Sequence, residues 1–249
     1  MEENNILKEK VRDFWDKSAC GEIYAKGETD KEKYEIHGKI RYELEPYIPV
    51  FANFNEGSGK DVLEIGVGMG EFAGFCKSRQ IDYAGIEPNK TLRESLARKG
   101  FSVVEGKAPD LPKLEKSFDC VFAAHLIEHL KDYEEIAQLI HRAVSLLNPG
   151  GVIILIYPDI EKSGWVFYQD YTHLYPTTRK RVENILTDSD MRIVRSGYHI
   201  GPFVQPVIVS LLHFIVKCFP FFLMPKRIED SLRGRLQTCG FTIAAPLNS

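Results

Sequence analysis

The first candidate functional residues are three glycines at alternate positions, directly after a short apolar run. They are Gly66, Gly68 and Gly70. Glycine lets a chain turn sharply and lets a ligand approach the backbone without meeting a Cβ atom. A second apolar run ends in Glu87 and Pro88, about twenty residues further on, and in an open parallel sheet such a carboxylate lies beside the glycine turn. Strand, glycine turn and acidic strand end together predict a site for a ribose-containing cofactor.

Two classes of cofactor compete for this loop. Counted from Gly66, the dinucleotide pattern G-x-G-x-x-G fails because Glu71 occupies the third position, but counted from Gly68 the variant ending in Ala73 fits. Glu64 lies in the strand just before the turn, where a carboxylate disfavours a pyrophosphate and favours a cationic ligand. A nicotinamide or flavin dinucleotide therefore stays the less favoured alternative.

Histidines and carboxylates follow the fourth and fifth apolar runs, at His125, Glu128 and His129 and again at His173. A loop histidine with a pKa near neutrality suits proton abstraction, so His173 is the predicted general base and His129 the second candidate. The alternative for His173 is a structural hydrogen bond or a contact with substrate. His125, Glu128 and His129 are also the candidate ligands for a divalent ion. We favour hydrogen bonding within the turn and expect no resident metal.

The surrounding pattern indicates the elements that position these residues. Five short apolar runs, several of them separated by helix-length segments, predict a parallel sheet covered on both faces. They are residues 62–65, 83–86, 101–104, 118–123 and 152–156. A tight turn at 148–151 is expected to precede the fifth strand, and two further strands are predicted at 191–200 and 238–245. Apolar residues at helical spacing before Pro49 predict a helical cap at 1–50, and the α/β domain then covers 51–249.

An unusually apolar insertion at about 203–225 separates the last two predicted strands. Its uncharged run is shorter than the roughly twenty residues that a membrane span needs. We expect a buried helix first. A peripheral patch on an anionic membrane surface is the second option, because clustered aromatics stand beside basic residues. A homodimer interface is the third.

Composition narrows the function classes. The formal net charge of -3 and a pI near 6.2 lack the excess of positive charge that is typical of nucleic-acid-binding proteins. The residues from Met1 to Lys17 lack the apolar core of a signal peptide, and the five cysteines form no CxxC pair. The expected location is the cytoplasm, with peripheral contact at the inner membrane surface as a further option.

Four segments together are similar to motifs of the class I S-adenosylmethionine-dependent methyltransferases. Residues 62–70 resemble the first motif, 86–89 the acidic second motif, 118–130 the fourth strand and its turn, and 147–151 the turn before the fifth strand. The resemblance covers about 61–159 and implies a Rossmann-like α/β fold, with a seven-stranded, mostly parallel sheet whose last strand is reversed.

The resemblance also implies roles for individual residues toward S-adenosylmethionine. Many family members place an Asp against the adenine where this chain has Lys107, so the neighbouring Ala108 backbone is the expected substitute. The implied cofactor-binding residues are Glu64, Gly66, Gly68, Gly70, Glu87, Pro88, Lys107, Ala108, His125 and Leu126.

The segment around His173 resembles the one after the fifth strand in methyltransferases that modify sugars, quinones and other small hydroxylated acceptors. The expected reaction is therefore O-methylation of a sugar, glycan or similar small molecule. N-methylation of an amino sugar and a catalytically silent binding module are the alternatives. If the 203–225 insertion contacts a membrane, a lipid-linked glycan becomes an attractive acceptor.

Overall fold

The computed structural model describes residues 60–201, 203–219 and 236–247. The predicted helical cap at 1–50 and the second half of the apolar insertion, from Pro220 onward, lie outside these residues.

A seven-stranded sheet forms the centre of the domain, in the order β3-β2-β1-β4-β5-β7-β6. The neighbouring pairs from β3 to β5 are parallel, and β7 runs antiparallel to both β5 and β6. The predicted sheet with a reversed last strand is thus confirmed. The strands are β1 Asp61–Ile65, β2 Asp82–Ile86, β3 Ser102–Val104, β4 Phe118–Ala124, β5 Leu147–Pro158, β6 Met191–Ile200 and β7 Thr238–Pro246.

Helices cover the sheet and connect its strands. Two short 3₁₀ helices, Ile127–His129 and Gly164–Gln169, lie after β4 and after β5. The α-helices of the described residues are α1 Glu71–Ser78, α2 Lys90–Arg98, α3 Tyr133–Val144, α4 Ile160–Ser163, α5 Arg179–Asp188 and α6 Pro206–Cys218.

The apolar runs form strands because both faces of the sheet are buried. Successive side chains of a strand point to opposite faces, so Val62 enters one apolar cluster and Leu63 the other. On one side α1 contributes Phe72, and on the other α3 contributes Leu139. Continuous rather than alternating hydrophobicity therefore marks these strands.

The turn at 148–151 lies inside β5 rather than before it. Leu147 already pairs with Phe118, and pairing resumes between Val152 and Cys120 after a shift in register. Gly150 has a φ of 79°, which only glycine adopts without strain. The predicted start of the fifth strand is therefore wrong, because the backbone continues its ladder around the turn.

Helix α6 forms within the predicted insertion, but it is not a buried helix. Among its side chains only Val209 is buried, whereas Val207, Leu211 and Phe214 are exposed. The expectation of a core helix is wrong for this segment, because α6 packs against the domain along one narrow side. Each helix of the described residues is too short or too polar to cross a membrane.

Candidate active site

The glycine loop turns the chain from β1 into α1. Gly66, Gly68 and Gly70 have φ values of 81°, 57° and 83°, in the left-handed region that favours glycine. At Gly70 the requirement is also steric, because a Cβ atom there would lie 2.1 Å from Cδ2 of the buried Leu96. At Gly68 a Cβ atom would meet nothing within 4 Å. The loop is therefore tight against α2 at one end and open at its middle.

Glu87 connects the end of β2 to this loop. Its Oε2 accepts a hydrogen bond from the Gly68 backbone N–H at 3.0 Å, and its Oε1 accepts one from the Asn89 N–H at 2.9 Å. The carboxylate is buried. The two backbone hydrogen bonds hold the carboxylate in place, and each carboxylate oxygen has two acceptor positions.

Glu64 lies beneath the loop in β1. Its Oε2 accepts a 2.6 Å hydrogen bond from the Tyr83 hydroxyl of β2. Gly85 makes this contact possible, because a Cβ atom there would lie 2.8 Å from the Tyr83 oxygen. The strand carboxylate is thus oriented by a neighbouring strand.

Lys107 and Ala108 lie beyond the end of β3. Lys107 is exposed and Ala108 is half-buried. The chain approaches β2 closely here, since a Cβ atom at Gly106 would lie 2.7 Å from Cγ2 of Ile86. The backbone of this segment is therefore close to the strand that carries Glu87.

The turn after β4 reaches the glycine loop through Leu126. A Cβ atom at Gly66 would lie 3.4 Å from Cδ1 of Leu126. His125 has a φ of 51° and its backbone N–H donates to the Ile156 carbonyl. The residues that follow Leu126 are consequently held next to the loop.

His125 and Glu128 form an ion pair within this turn. Nδ1 of His125 lies 3.3 Å from Oε1 of Glu128, whose side chain is fully buried. Burial alone would lower the pKa of His125, but interactions with Cys239 and Glu128 raise it well above its ordinary value. Burial would likewise raise the pKa of Glu128, and His125 together with nearby His129 and His173 lowers it. Each partner thus favours the charged form of the other.

His129 and His173 lie side by side, with ring centroids 5.0 Å apart. Nδ1 of His129 is 3.0 Å from the Thr172 carbonyl, and Nδ1 of His173 is 2.8 Å from the Phe167 carbonyl. A carbonyl only accepts hydrogen bonds, so we assign the proton of each neutral imidazole to Nδ1. In this tautomer Nε2 carries the lone pair on both rings.

Backbone contacts fix the segment that carries His173. The N–H groups of Leu174 and Tyr175 both donate to the Glu128 carbonyl, at 2.8 and 3.0 Å. Asp170 accepts from both the N–H and the hydroxyl of Thr172, at 2.9 and 2.6 Å. The loop after β5 is thus tied to the turn after β4.

The surroundings of His173 favour its neutral form. Burial lowers the pKa of His173, and the effects of Glu128 and Asp170, which raise it, do not compensate. Nε2 lies 3.8 Å from Oδ2 of Asp170. A histidine with a lowered pKa and an available lone pair can accept a proton near neutral pH.

The structure changes the group of candidate metal ligands. Glu128 and His129 come together with His173 rather than with His125, and one ligand atom from each lies within 4.8 Å of the others. His125 is instead engaged as the cationic partner of Glu128. Imidazole and carboxylate ligands suit several divalent metals, so the group is chemically able to hold an ion.

A family model described as a methyltransferase domain matches residues 36–196 of this sequence. That match covers well over half of the chain. The chain belongs to this methyltransferase-domain family.

Relatives and solved structures agree with the family. A methyltransferase of Oceanobacillus iheyensis is 30% identical over 124 residues, which are 48% of this chain and 58% of the relative. Phosphoethanolamine N-methyltransferase 1 of Triticum aestivum is 26% identical over 61% of this chain, but over only 31% of its own length. The chain thus spans between about a third and three fifths of these two relatives.

Solved methyltransferases share the fold of this family member. Magnesium protoporphyrin IX methyltransferase from Synechocystis, with bound S-adenosylhomocysteine, superimposes with a TM-score of 0.61 at 15% identity, covering 96% of this chain and 99% of that one. An S-adenosylmethionine-dependent methyltransferase from Archaeoglobus fulgidus gives a TM-score of 0.57 at 21% identity, covering 86% and 96%. The shared architecture is that of the Rossmann-like methyltransferases.

Three residues of this methyltransferase-domain protein support the predicted site without having been predicted. Asn89 caps α2 by accepting from the Leu92 N–H at 2.9 Å, and Arg93 donates to the Glu87 carbonyl at 2.9 Å. Thr172 accepts from His129 across 43 residues of sequence. An asparagine before a helix is a recognisable capping signal, but the other two contacts depend on the tertiary fold.

The end of β5 and the 3₁₀ helix after it carry three further side chains near the histidine pair. Asp159 caps α4 through the Glu161 N–H and accepts from the Arg179 N–H at 2.7 Å, so it orients backbone rather than a histidine. Trp165 and Tyr168 are exposed on the 3₁₀ helix whose Phe167 carries the His173 contact. They are positioned at the surface next to the histidine pair.

Proposed function

We propose that this methyltransferase-domain protein transfers a methyl group from S-adenosylmethionine to a hydroxyl of a sugar, glycan or other small acceptor. The observation that carries the proposal is the pair His129 and His173. Both rings are oriented through Nδ1 by backbone carbonyls. They lie on the two loops that follow β4 and β5, and the first of these loops contacts Gly66 through Leu126.

The residues of the loop fit an adenosyl cofactor. The middle of the loop is open at Gly68, and the carboxylate of Glu87 is fixed beside it by the Gly68 N–H. A carboxylate in this position can accept hydrogen bonds from a ribose diol. Gly106, directly before Lys107 and Ala108, lies close to Ile86 of β2.

Buried acidic residues around the loop argue against a dinucleotide. Glu64 and Glu71 are both buried, and Glu71 occupies the first turn of α1. A dinucleotide would place its pyrophosphate at the N-terminus of α1. The negative charge of the Glu71 carboxylate at that end would repel the pyrophosphate. A sulfonium carries a positive charge, which the same carboxylates stabilise.

Proton removal is the task left to the protein. S-adenosylmethionine would supply an electrophilic methyl group on a positively charged sulfur, and transfer of this group to a hydroxyl oxygen would break its bond to sulfur and release S-adenosylhomocysteine and one proton. Nε2 of His173 accepts that proton in our proposal, because its lowered pKa keeps it neutral before the reaction. His129 and Asp170 lie next to the imidazolium that results, and Asp170 stabilises it by its negative charge.

N-methylation is the second candidate. Two wheat relatives bear the name phosphoethanolamine N-methyltransferase, at 26% and 24% identity. An amine that is already neutral needs positioning more than a base. Under this reading, replacement of His173 leaves the pH dependence of turnover largely unchanged.

The test has two stages. Calorimetric titration with S-adenosylmethionine, S-adenosylhomocysteine and NAD first identifies the cofactor, with binding of the two adenosyl compounds and not of NAD as the expected result. Transfer of a carbon-13 methyl group to hydroxylated sugars and amino sugars is then followed by NMR, where the methyl carbon shift distinguishes an O-methyl from an N-methyl product. Binding of NAD alone would contradict the proposal, and cofactor binding without transfer to any acceptor would favour a silent module.

A further inference from the structure

Helix α6 presents an apolar face to solvent. Four apolar residues of the helix are exposed over 80%, 58%, 65% and 49% of their surface, namely Val207, Leu211, Phe214 and Ile215. Positions separated by four, seven and eight residues share one face of an α-helix. The four side chains therefore form one continuous stripe, which we call the α6 face.

The opposite side of α6 anchors it to the domain. Val209 is buried, and Nδ1 of His213 lies 3.0 Å from the Thr238 hydroxyl at the start of β7. Because its inner side is fixed, the helix holds the α6 face outward as a defined surface.

The helix stands at the same end of the sheet as the histidine pair. It follows the carboxyl end of β6, where Ile200 pairs with Thr238. The next residue of β7, Cys239, pairs with Pro158 at the carboxyl end of β5. Active sites of open α/β sheets lie beyond these strand ends, so the α6 face and the candidate active site share one side of the protein.

The stretch of sequence that contains the helix carries charge of one sign. The 38 residues between Asp190 and Glu229 contain no carboxylate side chain, in a chain whose net charge is -3. Their basic residues are Arg192, Arg195, Lys217, Lys226 and Arg227. Among the described residues, Lys217 lies in the last turn of α6, and Lys162 is close enough to act on His213.

We infer that the α6 face docks on an anionic membrane surface. The helix has 13 residues and is about 20 Å long, too short for the roughly 30 Å of a hydrocarbon core. A short helix with aliphatic and aromatic residues on one face and basic residues beside it inserts into the headgroup boundary and is attracted by anionic lipids. A protein partner explains the apolar stripe but not the 38-residue absence of acidic groups.

Docking would bring the candidate active site to the membrane surface. Under the proposed function, on which this step rests, the favoured acceptor is then a hydroxylated headgroup or a glycan on a lipid carrier. Docking itself does not require catalysis, so it can be tested independently of the methyl transfer.

The test is flotation of the full-length protein with lipid vesicles. Vesicles of phosphatidylcholine alone are compared with vesicles containing phosphatidylglycerol. Leu211→Glu is the test variant, and Leu247→Glu is the matched control, because Leu247 is an exposed leucine of almost equal exposure, 56%, at the end of β7. Calorimetric titration with S-adenosylmethionine and thermal unfolding check that each variant is folded.

We expect the wild type and Leu247→Glu to float with anionic vesicles and Leu211→Glu to lose about tenfold or more in vesicle affinity. Three outcomes would overturn the inference. One is a wild type that stays in solution, the second is equal binding by both variants, and the third is binding that ignores the anionic lipid. A wild-type dimer that Leu211→Glu converts to a monomer, without vesicle binding, would instead identify the α6 face as a self-association surface.

Discussion

The backbone N–H of Gly68 donates a 3.0 Å hydrogen bond to Oε2 of Glu87, joining the glycine loop to the end of β2. The bond brings together two residues 19 positions apart that both resemble cofactor-binding motifs. Because the second carboxylate oxygen is held by the Asn89 N–H, Glu87 has little freedom to rotate. The loop and its carboxylate are therefore held together by hydrogen bonds of the protein itself.

Replacement of Glu87 by Gln should weaken S-adenosylmethionine binding. The amide keeps the shape of the side chain but loses the charge that strengthens hydrogen bonds from hydroxyls. The difference is about 1–1.5 kcal/mol for each bond, so the loss of two such bonds corresponds to roughly thirty- to hundredfold in Kd. Calorimetric titration measures the effect. Glu94→Gln, in an exposed pair with Lys90, should bind like the wild type, and equal losses in both variants would contradict a specific role for Glu87.

Two glycine substitutions should have different effects on stability and on cofactor binding. Gly70→Ala places a Cβ atom 2.1 Å from the buried Leu96 at a φ of 83°, and we expect about 2–4 kcal/mol of destabilisation in urea unfolding. Gly68→Ala meets no neighbour and should cost only about 1–2 kcal/mol from its positive φ. The new methyl group would nevertheless occupy the open middle of the loop, so the loss in binding free energy for S-adenosylmethionine should exceed the loss in the free energy of unfolding. Equal losses of stability would mean that the packing at Leu96 relaxes easily.

Local patterns account for the parts of the site that could be predicted. Residues 62–70 belong to one strand, one turn and one helix start, so their types and spacing determine the local geometry. The same holds for Glu87, which ends a neighbouring strand. Contacts between distant loops are different. The bond from His129 to Thr172 spans 43 residues, and only the positions of β4 and β5 in the folded sheet bring these groups together.

Two errors of sequence interpretation have a common physical basis. The apolar insertion at about 203–225 does contain a helix, but hydrophobicity alone does not say which surface covers it, and α6 is mostly exposed. Grouping His125 with His129 as possible metal ligands relied on closeness in sequence. In the structure His125 has a left-handed conformation and pairs with Glu128. His173 is instead the third member of the group of possible metal ligands, with Glu128 and His129.

Removal of divalent metal should leave methyl transfer unchanged. The charge of Glu128 is already balanced by the imidazolium of His125, so the group of Glu128, His129 and His173 offers little net attraction for a cation. Initial rates before and after treatment with EDTA measure this. A loss of activity restored by Mg²⁺, Mn²⁺ or Zn²⁺ would assign the three residues as ligands in place of the base role.

The pair of His125 and Glu128 should contribute to stability within a defined pH range. Glu128→Gln leaves a partly buried imidazolium without its partner, and we expect a loss of about 3 kcal/mol in the free energy of unfolding near pH 6. The raised pKa of His125 means that its contribution is complete below its ordinary value of 6.5 and lost as the pH rises through the raised pKa. The lowered pKa of Glu128 means that its contribution is complete above 4.5 and lost as the pH falls through the lowered pKa.

The difference between wild type and Glu128→Gln should therefore be largest between pH 4.5 and 6.5. Urea unfolding at a series of pH values measures it, with Glu94→Gln as the exposed control. A difference that does not vary with pH would indicate that the variant acts by altered packing rather than by loss of the ion pair.

The pH dependence of turnover should identify the base. Because burial lowers the pKa of His173 below its ordinary 6.5, the imidazole is neutral at pH 7 and kcat/KM should hold until the pH falls through that lowered pKa. His173→Gln should reduce kcat by about 10²- to 10⁴-fold. It should also remove the fall of kcat/KM at low pH, which we call the acidic limb of the profile, while the affinity for S-adenosylmethionine stays unchanged. His129→Gln should retain the limb, since His173 remains in place. If His173→Gln keeps both its rate and the limb, the proton is not removed by this residue, and N-methylation of an already neutral amine becomes the better account of the site.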